Sequence, residues 1–419
     1  MMQQKLALEL RNLWNEDTTV KQNYFTRRNE IPLLRNSYKG HSKLQIIGIN
    51  EFLGFNNIII IGSPSSGKTT VAKRIGFWES NFFRRPLVMF DPTGHEYKLC
   101  KYANSDTTNL LRVFNNEPIE KPEGLKNLLS ISPSYAIEEA NGDDMIISLT
   151  PNDFDMEHWT SVGLRNISHI LDEAKELYPE VSKDPEKLYN FIRRMPVSYK
   201  QVLELGRKDE LFVHSSTHDS FMVKFRKLLK QGFFDKRYKT DFDKLIQLLK
   251  TKSLCFNFHY EEEFSRAYVG YIMNKLFRAT RRGIIPPPIT LTDESEKVFP
   301  SFDKDKEFAS TKQGSLYVKK GRKYGLGNIA VSQELSSIHK DITDFYTYLI
   351  IGGELSRNDL RRLAELTSEK VMDIVRHLKF DPDVGQREMI IIRRNKTYDT
   401  GYSFNSPCGL FKEIRKSIE

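Results

Sequence analysis

Short runs of β-branched and aromatic residues alternate along this chain with amphipathic stretches of helical period. The run from Ile58 to Ile61 contains no polar residue, which is typical of a strand that is covered on both faces of a sheet. Similar runs predict further strands at 45–50, 87–90, 253–260, 289–292, 328–332 and 347–353, with EMIIIRR at 388–394 as the last one. Because these strands alternate with helices, the pattern predicts an α/β fold with a largely parallel sheet.

The helical pattern is strongest in two regions. Residues 261–282 are amphipathic, and their buried face is predicted to carry Tyr268, Ile272, Leu276 and Phe277. Residues 153–252 are almost entirely helical in pattern, with apolar residues recurring from Trp159 to Leu177 and shorter pieces at 185–195, 198–206, 219–231 and 241–250. We therefore divide the chain into an N-terminal arm (1–45), a first part of the core (46–150), an all-helical insertion (151–252) and a second part of the core with a C-terminal tail (253–419).

A glycine-bounded loop follows the first buried strand and has the spacing G-x-x-x-x-G-K-[ST], known as Walker A. In this spacing backbone N–H groups surround a phosphate, and the helix that follows directs the positive end of its dipole at the same anion. Lys68 is expected to reach the β- and γ-phosphates and Thr69 to offer its hydroxyl to Mg²⁺. The predicted nucleotide-binding residues are Gly62, Ser63, Ser65, Ser66, Gly67, Lys68, Thr69 and Thr70.

Acidic and amide side chains stand where other predicted strands end. Asp293 and Glu294 follow the strand at 289–292, so one acid is placed to support Mg²⁺ and the next to reach an attacking water. Asp91 ends the strand at 87–90, and with Glu96 it forms a possible second pair of acids facing the nucleotide, although solvated acids in a loop are the simpler interpretation. Gln333 ends another strand, where its amide is placed to sense the γ-phosphate or orient water.

The composition indicates a net positive charge and a reducing cellular environment. The 419 residues carry a formal net charge of +9 with a pI near 9.1, which suits a polyanionic partner without requiring one. The three cysteines form no C-x-x-C pair, and no run of about 18 apolar residues exists, so we expect a soluble, cytoplasmic protein without a structural metal site. Basic and aromatic residues mix in the N-terminal arm, which we interpret as a segment lying on the core or on a neighbouring subunit rather than as a nucleic-acid grip.

In the order of its motifs the chain resembles the HerA/FtsK superfamily of P-loop ATPases, which includes VirB4-like and viral genome-packaging ATPases. GSPSSGKTT corresponds to the Walker A motif, and FDPTGHEY is similar to a D-x-x-G-E-Y element whose spacing is altered here by His95. SLCFNFHYEEEFSRAYVGYIMNKLF resembles the strand and helix before Walker B, LTDESEKVFP the Walker B segment itself, and GRKYGLGNIAVSQELSSI an arginine-containing turn with a strand that ends in glutamine. The resemblance covers roughly 50–100 and 250–410.

The resemblance implies a RecA-like P-loop NTPase core that assembles as a hexameric ring around double-stranded DNA and binds ATP and Mg²⁺ between subunits. By this correspondence Asp293 supports the metal, Glu294 is the general base and Gln333 is the sensor. Arg322 is the first choice for an arginine finger that acts on the neighbouring subunit, and Arg357 is the second. Lys319, Lys320 and Lys323 are candidates for DNA contacts, although a solvated helix face explains them equally well.

The biological role stays open between several classes. Only about 50 residues precede the P-loop, whereas HerA carries a β-barrel and FtsK carries membrane helices there, so we expect a packaging or conjugative ATPase with a nuclease, portal or secretion component as possible partner. The alternative is a protein-directed motor, either of secretion or pilus type or AAA+-like, in which Arg357, Arg361 or Arg362 would act as a sensor. A metabolic kinase is disfavoured by the long helical insertion.

Overall fold

The strands lie in one extended sheet. A computed structural model of the protein describes residues 30–36, 46–50, 57–81, 85–94, 97, 125, 127–140, 142, 144–150, 153, 179–196, 201, 215–259, 262–301, 309–381, 386–394 and 398–403. The strands are β1 (Glu30–Asn36), β2 (Ile46–Asn50), β3 (Asn57–Gly62), β4 (Leu87–Asp91), β5 (Leu128–Pro133), β6 (Met145–Ile147), β7 (Ser253–Asn257), β8 (Ile289–Thr292), β9 (Gly327–Ser332), β10 (Tyr348–Gly352), β11 (Phe380–Asp381), β12 (Gln386–Arg393) and β13 (Tyr398–Ser403).

The α-helices flank the sheet, and short 3-10 turns connect several of them. They are α1 (Lys68–Asn81), α2 (Pro179–Ser182), α3 (Pro185–Arg193), α4 (Ser215–Lys230), α5 (Phe242–Gln247), α6 (Glu262–Arg281), α7 (Ser295–Val298), α8 (Ala309–Gly321), α9 (Lys340–Thr343), α10 (Arg357–Leu366) and α11 (Glu369–Arg376). No helix in the described ranges is long and apolar enough to cross a membrane.

Parallel pairing dominates the centre of the sheet. The order is β2-β1-β13-β12-β10-β3-β9-β8-β4-β7-β5-β6, and every pairing from β10 to β6 is parallel. All these strands therefore end at one edge of the sheet, which we call the carboxyl edge, and begin at the opposite amino edge. The prediction of an α/β core with a largely parallel sheet flanked by helices is confirmed.

An antiparallel extension continues the sheet beyond β10. Strand β12 pairs with β10 in antiparallel register, and β13, β1 and β2 follow in antiparallel order. The prediction that 388–394 forms the last strand is wrong, because β13 comes after it. Residues 30–36, which fall in the predicted N-terminal arm, form β1 between β13 and β2. This strand could not be recognised from its polar sequence, because it has no long apolar run. It is defined by its pairing with the neighbouring strands of the sheet.

Two further parallel strands were not visible in the sequence pattern. Strand β5 reads LLSISP, with two serines and a terminal proline, and β6 has only three residues. Both extend the sheet past β7, where β5 pairs Leu128 to Ile131 with Ser253 to Phe256. Such short and mixed segments are too brief for a periodicity to be recognised.

The buried residues form one apolar layer on each face of the sheet. Alternate residues of β3 point to opposite faces, so Ile58 and Ile60 join the layer under α1 while Ile59 and Ile61 join the larger layer on the other side. In the larger layer, the ring of Phe233 lies 5.0 Å from that of Phe264. The helices at 179–250 thus share the core of the sheet.

The predicted helical segments agree with the structure wherever it describes them. Helix α6 buries all four apolar residues that the pattern assigned to its inner face. The pieces predicted at 185–195, 219–231 and 241–250 correspond to α3, α4 and α5. The predictions for Trp159 to Leu177 and for 198–206 lie outside the described residues, apart from Gln201.

Candidate functional site at the carboxyl edge

The phosphate loop connects β3 to α1 at the carboxyl edge. Three of its residues have positive φ, namely Gly62 at 149°, Ser65 at 62° and Gly67 at 93°. Gly62 is also sterically required, because a Cβ at this position would lie 1.7 Å from the carbonyl oxygen of Gly352 on the paired strand β10. The left-handed conformation of Ser65, a non-glycine residue, is disfavoured by about 1 kcal/mol, so the surrounding loop must stabilise it.

Lys68 begins α1 and turns back over the loop. Its Nζ donates to the carbonyl oxygens of Gly62 at 2.8 Å and Ser63 at 2.7 Å. Burial lowers the pKa of Lys68, and the nearby carboxylates of Asp293 and Glu296 oppose this shift. The ammonium group is therefore held directly above the loop, at the position where the motif brings phosphate oxygens.

Two serine hydroxyls in the loop are available to bind a phosphate. The Oγ atoms of Ser63 and Ser66 are buried, and neither has a hydrogen-bond partner among the described residues. A buried hydroxyl without a partner is unfavourable by about 1–3 kcal/mol, so such groups are normally satisfied by a ligand or a water. Thr70 is half-buried on the first turn of α1, and Ser65 is exposed. The loop thus has the donors that a nucleotide phosphate requires.

Asp293 lies immediately beyond β8 and contacts the phosphate-loop helix. Thr69 donates its hydroxyl to Oδ2 of Asp293 at 3.4 Å, Tyr97 donates its hydroxyl to the same oxygen at 2.9 Å, and the N–H of Glu294 donates to Oδ1 at 2.9 Å. Burial raises the pKa of Asp293 to about 6, although the hydrogen bonds from Glu294 and Tyr97 oppose the shift. The predicted metal ligands Thr69 and Asp293 are thus adjacent, and they fit a Mg²⁺ ion held together with a nucleotide.

Glu294 occupies a turn of unusual backbone conformation. Its φ and ψ are 43° and 48°, in the left-handed region, where it precedes the short helix α7. Its Oε2 lies 2.6 Å from Nζ of Lys297, one turn further along. A left-handed non-glycine residue next to the predicted metal site is a form of strain that is common in functional sites.

Strand β9 lies between the strands of Walker A and Walker B, and its end completes the carboxyl edge. Gln333, the residue after β9, is exposed. Ser332 beside it donates its hydroxyl to the carbonyl of Glu334 at 2.8 Å. Glu296 is half-buried, and burial raises the pKa of its carboxyl, while the proximity of Ser332 opposes that rise. Glu296 was not singled out in the sequence. Its only signal is its position two residues after Glu294.

Asp91 organises the loop that follows β4. Its Oδ1 accepts hydrogen bonds from the N–H groups of Thr93 and Gly94, both at 3.0 Å, and from the Thr93 hydroxyl at 2.7 Å. Its Oδ2 accepts from the N–H of Tyr97 at 2.9 Å. Asp91 is fully buried, and its carboxylate accepts these hydrogen bonds from the loop that follows it. Glu96 lies outside the described residues. Tyr97, which reaches Asp293, is the last residue of FDPTGHEY, and the sequence pattern indicates no role for it.

The arginine candidates lie at different edges. Arg322 is exposed on a 3-10 turn just before β9, at the amino edge, and therefore on the opposite side of the sheet from Lys68 of the same chain. Arg357 is exposed at the first position of α10, shortly after the carboxyl end of β10, and Arg361 is exposed on the same helix. Arg362 pairs with Asp344 and Glu365.

The predicted DNA-contact lysines lie where α8 ends at the amino edge. Lys319 pairs with Asp341, with 2.6 Å between Nζ and Oδ2. Lys320 and Lys323 are exposed, and neither has an ion-pair partner within the described part of the chain.

The chain is similar in structure, but not in sequence, to known proteins. No family model matches the chain, and no curated protein matches it in sequence. Among solved structures, VirB4 of Thermoanaerobacter pseudethanolicus aligns with a TM-score of 0.56 and 13% identity, over 91% of this chain and 98% of that one. The genome packaging NTPase B204 from Sulfolobus turreted icosahedral virus 2, in complex with AMPPCP, aligns with a TM-score of 0.40 and 10% identity, over 84% and 99%. ATPases 2 and 3 of EssC from Geobacillus thermodenitrificans align with a TM-score of 0.34 and 14% identity, over 93% and 47%.

The parallel sheet, the phosphate loop and the acid beyond β8 define a P-loop protein with a RecA-like core. More particularly, the fold is similar to that of VirB4 over nearly the whole chain.

Proposed function

We propose that this protein is an ATP-driven motor that translocates double-stranded DNA through a homo-oligomeric, hexameric ring. The observation that carries the ATPase part is the contact between the two nucleotide motifs: the Thr69 hydroxyl lies 3.4 Å from the Asp293 carboxylate although 224 residues separate them. Only a fold that aligns the ends of β3 and β8 brings these groups together. With Lys68 above the loop, the site has a phosphate cradle, a cation and a metal-binding pair.

Each residue of the site has a different role in the proposed hydrolysis. Lys68 neutralises charge on the β- and γ-phosphates, while the N–H groups of the loop and the hydroxyls of Ser63 and Ser66 hold the phosphate oxygens. Thr69 and Asp293 would hold Mg²⁺ together with the nucleotide, and the ion would supply further charge neutralisation. Glu294 accepts a proton from the attacking water, and Gln333 orients that water or senses the γ-phosphate.

An arginine from a second subunit completes the proposed site. Within the described residues, Lys68 is the cation that lies over the phosphate loop, and Arg322 is at the opposite edge of the sheet. If subunits pack head to tail, the amino edge of one meets the carboxyl edge of the next, and Arg322 reaches the neighbour's γ-phosphate. Head-to-tail contacts of this kind close into rings.

DNA contacts are proposed for the basic amino edge. Helix α6 ends there with Arg278 and Arg281, and Arg282 follows it; all three are exposed. The rings of Phe277 and Tyr324 lie 5.6 Å apart, which joins this helix end to the turn that carries Lys323. No ion-pair partner for these three arginines occurs in the part of the chain that the structure describes. Unpaired cations on one surface suit a phosphate backbone and carry no sequence preference.

The test combines ATP hydrolysis, DNA and salt. We expect the steady-state ATPase rate to rise with duplex DNA, the stimulation to fall steeply with added salt, and the active particle to have the mass of a hexamer. The double charge reversal Lys320→Glu with Lys323→Glu should abolish stimulation and leave the DNA-free rate unchanged. The matched control reverses two exposed cations of α3, Lys187→Glu with Arg193→Glu, and should retain stimulation.

A protein-directed motor is the alternative that this experiment separates from the first. Its supporting observation is the position of Arg357, which begins α10 on the same edge as the phosphate loop and so suits a sensor within its own chain. A wild-type ATPase rate that does not respond to DNA at any salt concentration would refute DNA translocation and favour a polypeptide substrate.

A further inference from the structure

A buried tyrosine connects the loop after β4 to the predicted metal site. Tyr97 is fully buried, and its hydroxyl donates to Oδ2 of Asp293 at 2.9 Å across a separation of 196 residues. Its own N–H donates to Oδ2 of Asp91 at 2.9 Å. Both ends of Tyr97 are therefore fixed by carboxylates at the carboxyl ends of two neighbouring parallel strands, Asp91 as the last residue of β4 and Asp293 just after β8.

The loop that carries Tyr97 is built around Asp91. Three further hydrogen bonds reach Oδ1 of Asp91, from the N–H and hydroxyl of Thr93 and from the N–H of Gly94. Gly94 has a φ of 74°, and a Cβ there would lie 2.6 Å from the ring of His259. Residues 91–94 are thus closely constrained, and the bond from the Tyr97 N–H to Asp91 ties the tyrosine to them.

A buried cation lies behind the tyrosine ring. Lys73 is one turn after Thr69 on α1, is only 6% exposed, and places its Nζ 5.2 Å from the ring centroid of Tyr97. A cation over an aromatic face is attracted by the ring, and this attraction grows when water is excluded. The same cation is close enough to favour the ionised form of the Asp293 carboxyl.

The donors around Asp293 determine how its carboxylate is turned. The N–H of Glu294 takes Oδ1, and the hydroxyls of Tyr97 and Thr69 take Oδ2, with Tyr97 the closer of the two. A carboxylate oxygen has lone pairs to spare beyond one hydrogen bond, so Asp293 keeps capacity for a metal ion while its plane is fixed. Outer groups that orient a metal ligand in this way commonly change metal affinity by 10- to 100-fold.

We propose that Tyr97, supported by Lys73, is a positioning residue that orients Asp293 for the Mg²⁺ of a bound nucleotide. The inference rests on the proposed nucleotide-hydrolysing function, and it assigns a role to a residue outside the Walker motifs. In this role Tyr97 acts through its hydrogen bond to Asp293. Its effect is therefore specific to the metal and should be absent from nucleotide binding without metal.

The test measures metal affinity directly. Mn²⁺ is titrated into the full-length protein with a non-hydrolysable ATP analogue, and free Mn²⁺ is followed by electron paramagnetic resonance. The substitution Tyr97→Phe removes only the hydroxyl and should weaken Mn²⁺ binding roughly 10-fold, while the affinity for a fluorescent ATP analogue in EDTA stays unchanged. Lys73→Met should shift Mn²⁺ affinity in the same direction by roughly two- to fivefold.

A matched control separates this role from general packing. Tyr317 is also fully buried, but its hydroxyl donates to the carbonyl of Pro288 at the amino edge, at 3.4 Å. Tyr317→Phe should leave Mn²⁺ affinity unchanged. Unchanged Mn²⁺ affinity in Tyr97→Phe would overturn the inference alone, because the wild type would still bind and hydrolyse ATP. A wild type that binds no nucleotide even with metal would overturn the inference together with the proposed function.

Discussion

Lys297 holds the carboxylate of Glu294 in an ion pair, with 2.6 Å between Nζ and Oε2. Glu294, the residue proposed to activate water, is therefore paired with a residue one turn further along the chain. Both side chains are partly exposed, so the pair contributes at most about 1 kcal/mol and is readily exchanged for another contact. Glu294 is the left-handed residue before α7, and Lys297 lies three residues further along the chain, within that four-residue helix.

Removing this ion pair should increase turnover. Lys297→Met leaves the carboxylate of Glu294 without its partner, so the pair need not be broken before water is activated. We expect the DNA-free ATPase rate to rise up to about fivefold, which corresponds to about 1 kcal/mol. Lys297→Arg keeps the charge and should behave as the wild type. A lower rate in Lys297→Met would instead make Lys297 part of the active arrangement.

Glu294 and Lys68 should separate binding from hydrolysis. Glu294→Gln keeps the shape of the side chain but removes the base, so ATP should still bind while hydrolysis falls by about 10²- to 10⁴-fold. Lys68→Ala removes the cation above the phosphate loop and should lose both binding and hydrolysis. Fluorescent-nucleotide titration beside a turnover assay distinguishes the two outcomes. Normal turnover in Glu294→Gln would exclude Glu294 as the base.

The raised pKa of Asp293 predicts an acid limb in metal binding. Below its pKa of about 6 the carboxyl is protonated in the folded protein and cannot hold Mg²⁺. Mg²⁺ affinity in the presence of nucleotide should therefore fall about tenfold per pH unit below about 6 and level off above about 7. Titrations from pH 5 to 8 check this expectation, and a profile that is flat across pH 6 would contradict it.

The same pKa has a consequence for stability without metal. Because the folded pKa of Asp293 lies above the value of about 4 for an unfolded aspartate, ionisation destabilises the native state. This destabilisation is absent below about pH 4, develops between about 4 and 6, and is complete above that window. Thermal unfolding of Asp293→Asn, which does not ionise at this position, should lack that component.

Gly62 should tolerate no side chain. Gly62→Ala would place a methyl group 1.7 Å from the carbonyl oxygen of Gly352, so β3 and β10 must separate locally. We expect a loss of about 2–3 kcal/mol in stability, a melting temperature lower by roughly 3 °C, and no nucleotide binding. Gly142→Ala is the control, because no atom of the described residues lies within 4 Å of a Cβ there, and its melting temperature should not change.

Arg322 should act between subunits. Arg322→Ala and Glu294→Gln should each abolish hydrolysis alone, for different reasons. In mixed rings, a site with intact Glu294 receives Arg322 from a neighbour of the other variant, so part of the activity should return. Mixing the two purified variants before a turnover assay tests this. If mixtures stay inactive while each variant still assembles, Arg322 is not the trans arginine, and Arg357 becomes the residue to substitute.

Several parts of the fold could be predicted because their cause is local. Ile58 to Ile61 form a buried strand because four β-branched residues in a row require cover on both faces. The bounds of α6 and its inner face follow from its period, and Asp293 falls at the end of β8 as its position after ITLT indicates. Strand β13 and the pair β5 and β6 could not be predicted, because their segments are short or polar and are defined only by the strands beside them.

The sequence by itself determined the phosphate loop, the acids that follow β8 and the alternation of strands and helices, since spacing and period act over a few residues. The tertiary structure alone decided that β9 lies between β3 and β8, that Tyr97 reaches Asp293, and that Arg322 is on the edge opposite Lys68. These relationships join residues far apart in the chain. Their geometry depends on strand order, which is selected by the packing of the two apolar layers rather than by any local pattern.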